Sequence, residues 1–202
     1  MNQYPSIGES VLCRNVPAGG FERYTAQPVR TLEDYQKMVA IRAAVFMAEQ
    51  ACPYTEEFDG NDLNATHFLV FDGKDAVGTL RIRWFANFAK LERVVLLRSQ
   101  RGRAALHVML AEAFELATRK GYRLMIAQIQ ARLFQCRLAE GRPRFSFSDF
   151  DYLEIEIPLP EHPKALRPDS DPMVMIRPEG QWDMPGVLDA SAARSDKSDV
   201  AA

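Results

Sequence analysis

The hydrophobic and polar positions change period several times along the chain, and each change marks an element. Residues 23–30, RYTAQPVR, read as a strand, at an edge because Pro28 has no N–H to give a ladder. From Thr31 the period lengthens. T-L-E-D is a capping box with Asp34 in the third helical position. Leu32, Tyr35, Met38, Val39, Val45 and Phe46 follow at helical spacing and predict a helix over 32–50. Residues 51–66 are polar and read as a loop with room for a short helix. HFLVFD (67–72) and AVGTLRIRWF (76–85) flank an Asp72-Gly73 turn and predict a hairpin. In its second strand Leu80, Ile82 and Trp84 share one face, while Arg81 and Arg83 share the other, which reads as solvated. KLERVVLL (90–97) is a third strand. Residues 103–119 carry the most regular helical stripe, with Arg119 and Lys120 at the cation-favouring end and Gly121 as the stop. YRLMIAQI (122–129) reads as a buried strand, 131–139 as a short helix, YLEIEIPL (152–159) as an alternating strand and MVMIR (173–177) as a last strand. The order predicts an α/β fold: one central mixed β-sheet of about seven strands with helices on both faces. The strand-helix-strand unit at 90–129 implies a parallel pair with a right-handed crossover.

Composition narrows the class. A chain of 202 residues, 47% apolar and 26% charged, suits one globular domain. Residues 1–20, with Pro5, Pro17 and Gly19-Gly20, read as an N-terminal extension. Residues 21–185 form the domain, and the small polar residues 186–202 read as a disordered tail. No stretch approaches 18 consecutive apolar residues, and the first residues lack a basic region followed by an apolar one. These patterns point to a cytoplasmic protein without a membrane partner. Lys+Arg 25 against Asp+Glu 27 leaves no basic field, which argues against nucleic acid. Cys13, Cys52 and Cys136 fit free thiols better than a disulfide frame or a zinc site.

The segment LERVVLLRSQRGRAALHVML (91–110) is the richest in candidate chemistry. A buried-type strand runs into a basic loop with one glycine and then opens a long helix. Free N–H groups there, with Arg98, Arg101 and Arg103 around them, make an anion site, phosphate being the usual anion. The alternative is a plain turn with a solvated basic loop. It is neither a Walker loop nor a dinucleotide fingerprint. The run Glu56, Glu57, Asp59, Asp62 lacks the spacing of a calcium loop. It reads either as a solvated acidic loop or as a site for a cationic acceptor. Arg42 lies on the apolar stripe of the first helix and needs a partner, either Glu49 or the acidic loop. That leaves a structural ion pair or a substrate contact. His67, His107 and Tyr152 read as structural or packing residues.

The 91–110 segment and the order of elements around it resemble the GCN5-related N-acetyltransferase superfamily. Residues 41–67 carry R-x-A-V-F-x-x-E-Q-x-C-P-Y and then D-G-x-D before a His. They are similar to the ElaA-like branch, with a fainter likeness to acyl-homoserine-lactone synthases. The resemblance spans about residues 21–180. It implies acyl transfer from acetyl-CoA, as co-substrate and without a metal, to a small-molecule amine. It places the pantetheine arm along Val94 to Leu97, Leu96 included. The pyrophosphate would sit on Arg101, Gly102, Arg103, Ala104 and Ala105. Glu92 would be the catalytic base; read from the strand alone it is as well an exposed Glu pairing with a neighbour. The family's thiolate-protonating Tyr would fall near Phe134–Arg137, where no Tyr stands and Gln135 or Cys136 is nearest, Cys136 being the candidate acid. With Arg101 opening the loop motif, Ala104 and Leu106 occupy its two small positions. Arg42, Phe46, Tyr54, Glu56 and Asp59 are the expected acceptor contacts, with Phe46 and Tyr54 as an apolar wall. Two alternatives stay open: a longer acyl-CoA or acyl-carrier-protein donor, and a non-catalytic binding module. A homodimer is compatible with the sequence.

Overall fold

A computed structural model of the chain describes residues 22–130, 142–147, 150–186, 188–189 and 191. The predicted helix over 131–139, and Cys136 within it, lie outside the described residues, as does the extension 1–20. Strand β1 (Tyr24–Pro28) leads to helix α1 (Leu32–Arg42), capped by the Thr31 side chain, which accepts from the Asp34 N–H at 3.0 Å. The helix continues through a π-helical stretch, Ala43–Glu49. The acidic segment holds a single helical turn, α2 (Tyr54–Glu57), and a 3-10 turn, Asp62–Asn64. Strands β2 (Thr66–Asp72), β3 (Asp75–Trp84) and β4 (Ala89–Leu96) follow, then α3 (Arg103–Arg119) and β5 (Leu124–Gln130). Strands β6 (Arg142–Phe147) and β7 (Phe150–Pro158) complete the sheet, and a short α4 (Pro172–Met175) lies beyond it.

The seven strands form one sheet in the order β1-β2-β3-β4-β5-β7-β6. All neighbours are antiparallel except β4 and β5, which are parallel, as a strand-helix-strand crossover requires. β1 is an edge strand, which accommodates Pro28. The strand count of the sequence reading holds, but one member differs. The segment 173–177 is not a strand: Asp171 caps Met173 N–H at 2.9 Å, and Pro172 fixes the first helical position, so a helical turn forms. The seventh strand is instead β6. It too lies at an edge, where Pro143 withdraws no N–H from a central ladder.

Two apolar cores fill the two faces. α3 sets Ala105, Met109, Ala113, Phe114 and Ala117 against Phe68, Val70, Leu80, Ile82, Leu91 and Met125, with Trp182 closing the cluster from the C-terminal segment. On the other face α1 sets Met38, Ile41 and Val45 against Leu69, Phe71 and Val95. Gly78 lies opposite Leu96 where β3 and β4 approach closely. A Cβ there would meet Leu96 Cδ2 at 2.4 Å and the Val95 carbonyl oxygen at 2.9 Å. The C-terminal segment is held to the domain by Arg30 donating to the Glu179 carbonyl at 2.8 Å and by a Lys120–Glu179 pair. Its contacts continue to Asp189, which pairs with Arg177 at 2.8 Å.

Candidate functional site

β4 and β5 are joined only at Ala89↔Met125, Lys90↔Ile126 and Leu91↔Ala127, although β4 runs on to Leu96 and β5 to Gln130. Beyond those pairs the strands part and leave a wedge at their C-terminal ends. The cause lies in β4. Its register against β3 shifts between Thr79↔Val95 and Arg81↔Glu92, so two residues, Arg93 and Val94, oppose Leu80. Arg93 has φ 52°, in the left-handed region, where an L residue is strained. A bulge of this kind bends a strand and ends its pairing.

The wedge opens toward the loop 97–102 and the start of α3. The loop's 3-10 turn, Arg98–Gln100, is fixed by Gln100, which accepts from the Tyr24 hydroxyl at 2.9 Å and donates to Asp72 at 3.2 Å. Arg98, Ser99, Arg101 and Gly102 are exposed. Gly102 is the N-cap of α3 and supplies no side-chain cap, so the first N–H groups of a 17-residue helix face outward beside Arg101. Arg101 pairs with Glu49 and reaches the Leu96 carbonyl at 3.3 Å. Glu49, considered above as a partner for Arg42, thus serves Arg101 instead. Ala105 is buried in the α3 core and Leu106 packs against it. Ala105 can meet a ligand only through its backbone. Val94 packs on the same core and Leu96 is buried in it, so both line the parted strand from below.

On the α1 face of the same strands lies a buried ion network. Arg42 is fully buried. It pairs with the Glu57 carboxylate, and donates to Asp62 at 2.6 Å and to the Glu57 carbonyl at 2.9 Å. Arg81, also fully buried, donates to Asp59 at 2.8 and 2.7 Å, to Asp62 at 2.9 Å and to Glu92 at 3.0 and 2.7 Å. All five of its N–H groups are used. Lys90 pairs with Glu92 at 2.7 Å, and Arg93 with Glu57 at 2.9 Å. Hydrogen bonding to Arg81 holds the Asp59 carboxyl well below the usual carboxylate range. Burial alone would raise Asp62 and Glu92. The guanidinium groups of Arg42 and Arg81 outweigh it at Asp62, and Lys90 with Arg81 outweighs it at Glu92, so both end lowered. Glu57 ends raised, because burial exceeds the pull of Arg42 and Arg93. His67 is buried and donates through Nε2 to the Asp62 carbonyl at 2.9 Å; burial lowers its pKa.

This network corrects several expectations. Arg81 is not on a solvated face, and Arg42 is enclosed in ion pairs with Glu57 and Asp62. The acidic loop is not an open cation trap. Glu57 and Asp62 are buried and, with Asp59, are occupied by Arg42, Arg81 and Arg93. Glu56 and Tyr54 are exposed, the Tyr54 ring lying tilted against Phe58 with centroids 5.1 Å apart. Phe46 sits under the Arg93 guanidinium at 5.9 Å. Glu92 is largely covered between cations and is a poor proton acceptor as it stands. Sequence reasoning missed Arg93, since nothing in a run of strand-forming residues signals a left-handed arginine.

No family model matches the chain. It is 30% identical over 136 residues to the uncharacterized protein YyaT of Bacillus subtilis, covering 64% of this chain and 88% of that one. It is 36% identical over 81 residues to YjcF of B. subtilis, named as an uncharacterized N-acetyltransferase, covering 40% of this chain and 57% of YjcF. The chain spans about half the length of the acetyltransferase-named relatives it matches. Among solved structures, Escherichia coli ElaA superposes with a TM-score of 0.57 at 21% identity, over 65% of this chain and 97% of ElaA. FeeM, an N-acyl amino acid synthase from uncultured soil microbes, does so with 0.57 at 14% identity, over 69% and 92%. The chain shares its fold with these N-acyltransferase structures. The acetyltransferase fold thus accounts for two thirds of the chain. At these identities the solved structures speak for the fold alone.

Proposed function

We propose that this acetyltransferase-fold protein moves an acetyl group from acetyl-CoA to a small amine. The observation that carries the reading is the parting of β4 from β5 immediately before an exposed basic loop and an uncapped helix N-terminus. An extended pantetheine arm can add along the parted β4, and the pyrophosphate suits the N–H groups at 103–105 and Arg101. The amine nitrogen attacks the thioester carbonyl carbon. The C–S bond breaks, the nitrogen loses a proton, and the sulfur leaves as a thiolate that takes one up, giving an amide and free CoA. Holding the two reactants together supplies most of the rate. Glu92 sits at the bulge and, as base, would act through water, because Arg81 and Lys90 hold its own basicity down.

Calorimetric titration with CoA and acetyl-CoA, followed by thiol release over a panel of amines, tests the reading. Donor binding with thiol release supports it; no binding of CoA removes it. Octanoyl-CoA in the same panel reads out the longer-donor alternative. Arg101→Ala should weaken donor binding about tenfold or more, one charge-assisted contact being worth about 1.5–3 kcal/mol. Glu92→Gln should lower kcat by about 10²–10⁴ with donor affinity kept. An unchanged pH–rate profile would leave Glu92 as an ion-pair residue only.

A further inference from the structure

Arg93 joins features that the acyl-transfer reading treats separately. Its backbone, at φ 52°, is one of two non-glycine positions with positive φ among the described residues. Such a conformation persists in an L residue only when its surroundings hold it. Here the side chain does so. Arg93 Nε lies 2.9 Å from Glu57 Oε2, and Nη2 donates to the Glu56 carbonyl at 2.7 Å. Nη2 also lies 3.4 Å from Asp59 Oδ2, and the guanidinium covers the Phe46 ring. One residue therefore shapes the bulge beyond which β4 parts from β5, and grips α2, the acidic loop and the π-helical end of α1. Glu57 is 1% exposed and shared between Arg42 and Arg93, which makes this grip continuous with the buried network.

We infer that Arg93 is a positioning residue that locks the acidic segment 51–65 to the β4 bulge, so that the acceptor-side loop and the donor wedge keep one fixed geometry. The inference rests on the acyl-transfer reading for its kinetic consequence, but not for its structural one. Without the clamp, the segment keeps Arg42 and Arg81 but loses its tie to β4 at Glu56 and Glu57, and the bulge loses the side-chain contacts that oppose its strain. The thioester would still bind at the loop 97–102, which Arg93 does not touch, but the amine and carbonyl would meet in productive geometry less often.

Arg93→Gly and Arg93→Lys separate the parts. Glycine accepts φ 52° without strain but removes the clamp; lysine keeps one charge without the two-pronged grip. Hydrogen exchange of backbone amides is measured first, with no donor present. In Arg93→Gly the amides of residues 54–65 should exchange at least tenfold faster than in the parent, those of 103–119 should be unchanged, and Arg93→Lys should fall between. Unchanged exchange at 54–65 overturns the inference, whatever the activity. With acetyl-CoA and the best amine, Arg93→Gly should keep CoA affinity within about threefold while kcat falls tenfold or more. Lysine should restore part of that loss. A variant that loses CoA affinity and kcat together, or keeps kcat, also overturns it. A parent protein that neither binds CoA nor releases thiol removes the acyl-transfer reading, and the exchange result then decides the clamp alone. If Arg93→Gly does not fold, Arg93→Lys carries the same exchange and kinetic comparison.

Discussion

The two faces of one sheet solve the problem of burial in opposite ways. Toward α3, Leu80, Ile82, Leu91 and Met125 meet Met109, Ala113 and Phe114, with no charge among them. Toward α1, the same strands turn Arg81 and Glu92 inward, beside Arg42, Glu57 and Asp62. Apolar packing is tolerant, since a side chain of similar volume replaces another at small cost. A buried ion network is not, because removing one member strands its partners in a medium that solvates them poorly. The α3 face supplies bulk stability. The α1 face fixes a loop, two strands and a helix in one arrangement beside the wedge.

The sharpest test sets one face against the other. Arg81→Met should cost about 3–5 kcal/mol, a fall in Tm of about 10 °C or more, because Asp59, Asp62 and Glu92 lose their shared cation. Arg81→Lys should rescue little, having three donors in place of five. A loss under about 1 kcal/mol in chemical denaturation would show that the network is not a unit. On the other face Met109→Ala should cost about 2–5 kcal/mol, but Met109→Leu less than about 1.5, since volume is nearly kept. If Met109→Leu destabilised as much as Met109→Ala, the contrast in tolerance would fail.

Smaller effects follow pH. His67 is lowered by burial, so the unfolded chain takes up a proton first, near pH 6.5. Its contribution is therefore present above that pH and lost as the pH falls through it. Asp59, Asp62 and Glu92 are lowered too, and theirs is lost only below about pH 4. Glu57, raised, works in the opposite sense, its protonation favouring the fold as pH falls. Melting curves should show an early fall between pH 7 and 5.5, then a steeper one in acid. His67→Gln, whose amide nitrogen reaches about as far as Nε2 and can still donate to the Asp62 carbonyl, should flatten the first phase and leave the second. A first phase that survives would move its origin elsewhere, His107 being a second lowered histidine.

The smallest effect lies outside both faces. Truncation after Pro185 removes Asp189, the partner of Arg177, but leaves Trp182 in the core. Tm should move by no more than about 3 °C. A larger drop would show that the tail contributes packing of its own.

Hydrophobic pattern with its caps and turns located α1, the β2–β3 hairpin, β4, α3, β5 and β7, because burial of a regular stripe is decided locally and repeats along the chain. Helix α3 starts and stops where its sequence says, at Gly102 and Gly121. The signals for α4 were also present in Asp171-Pro172, but the apolar run after them reads equally well as a strand. β6 was not legible, since Pro143 and alternating serines resemble a loop until a neighbouring strand supplies the ladder. The basic loop and helix start at 98–105, and the fold they resemble, were legible as well.

The fate of each charge was not legible. Arg81 and Arg83 alternate identically in sequence, yet Arg81 is fully buried while Arg83 stays at the rim. The difference is made by Asp59 and Asp62, about twenty residues away, which arrive only when the acidic loop folds across β3. The opening between β4 and β5 belongs to the same class. It depends on a bulge at Arg93, a residue with no intrinsic preference for positive φ, held there by contacts from α2 and the loop. Local pattern was enough for most of the helices and strands, β6 and α4 excepted, and for which faces are apolar. Tertiary structure decided which charges are buried and where the sheet opens, because long-range electrostatics and backbone strain depend on partners that local pattern does not name.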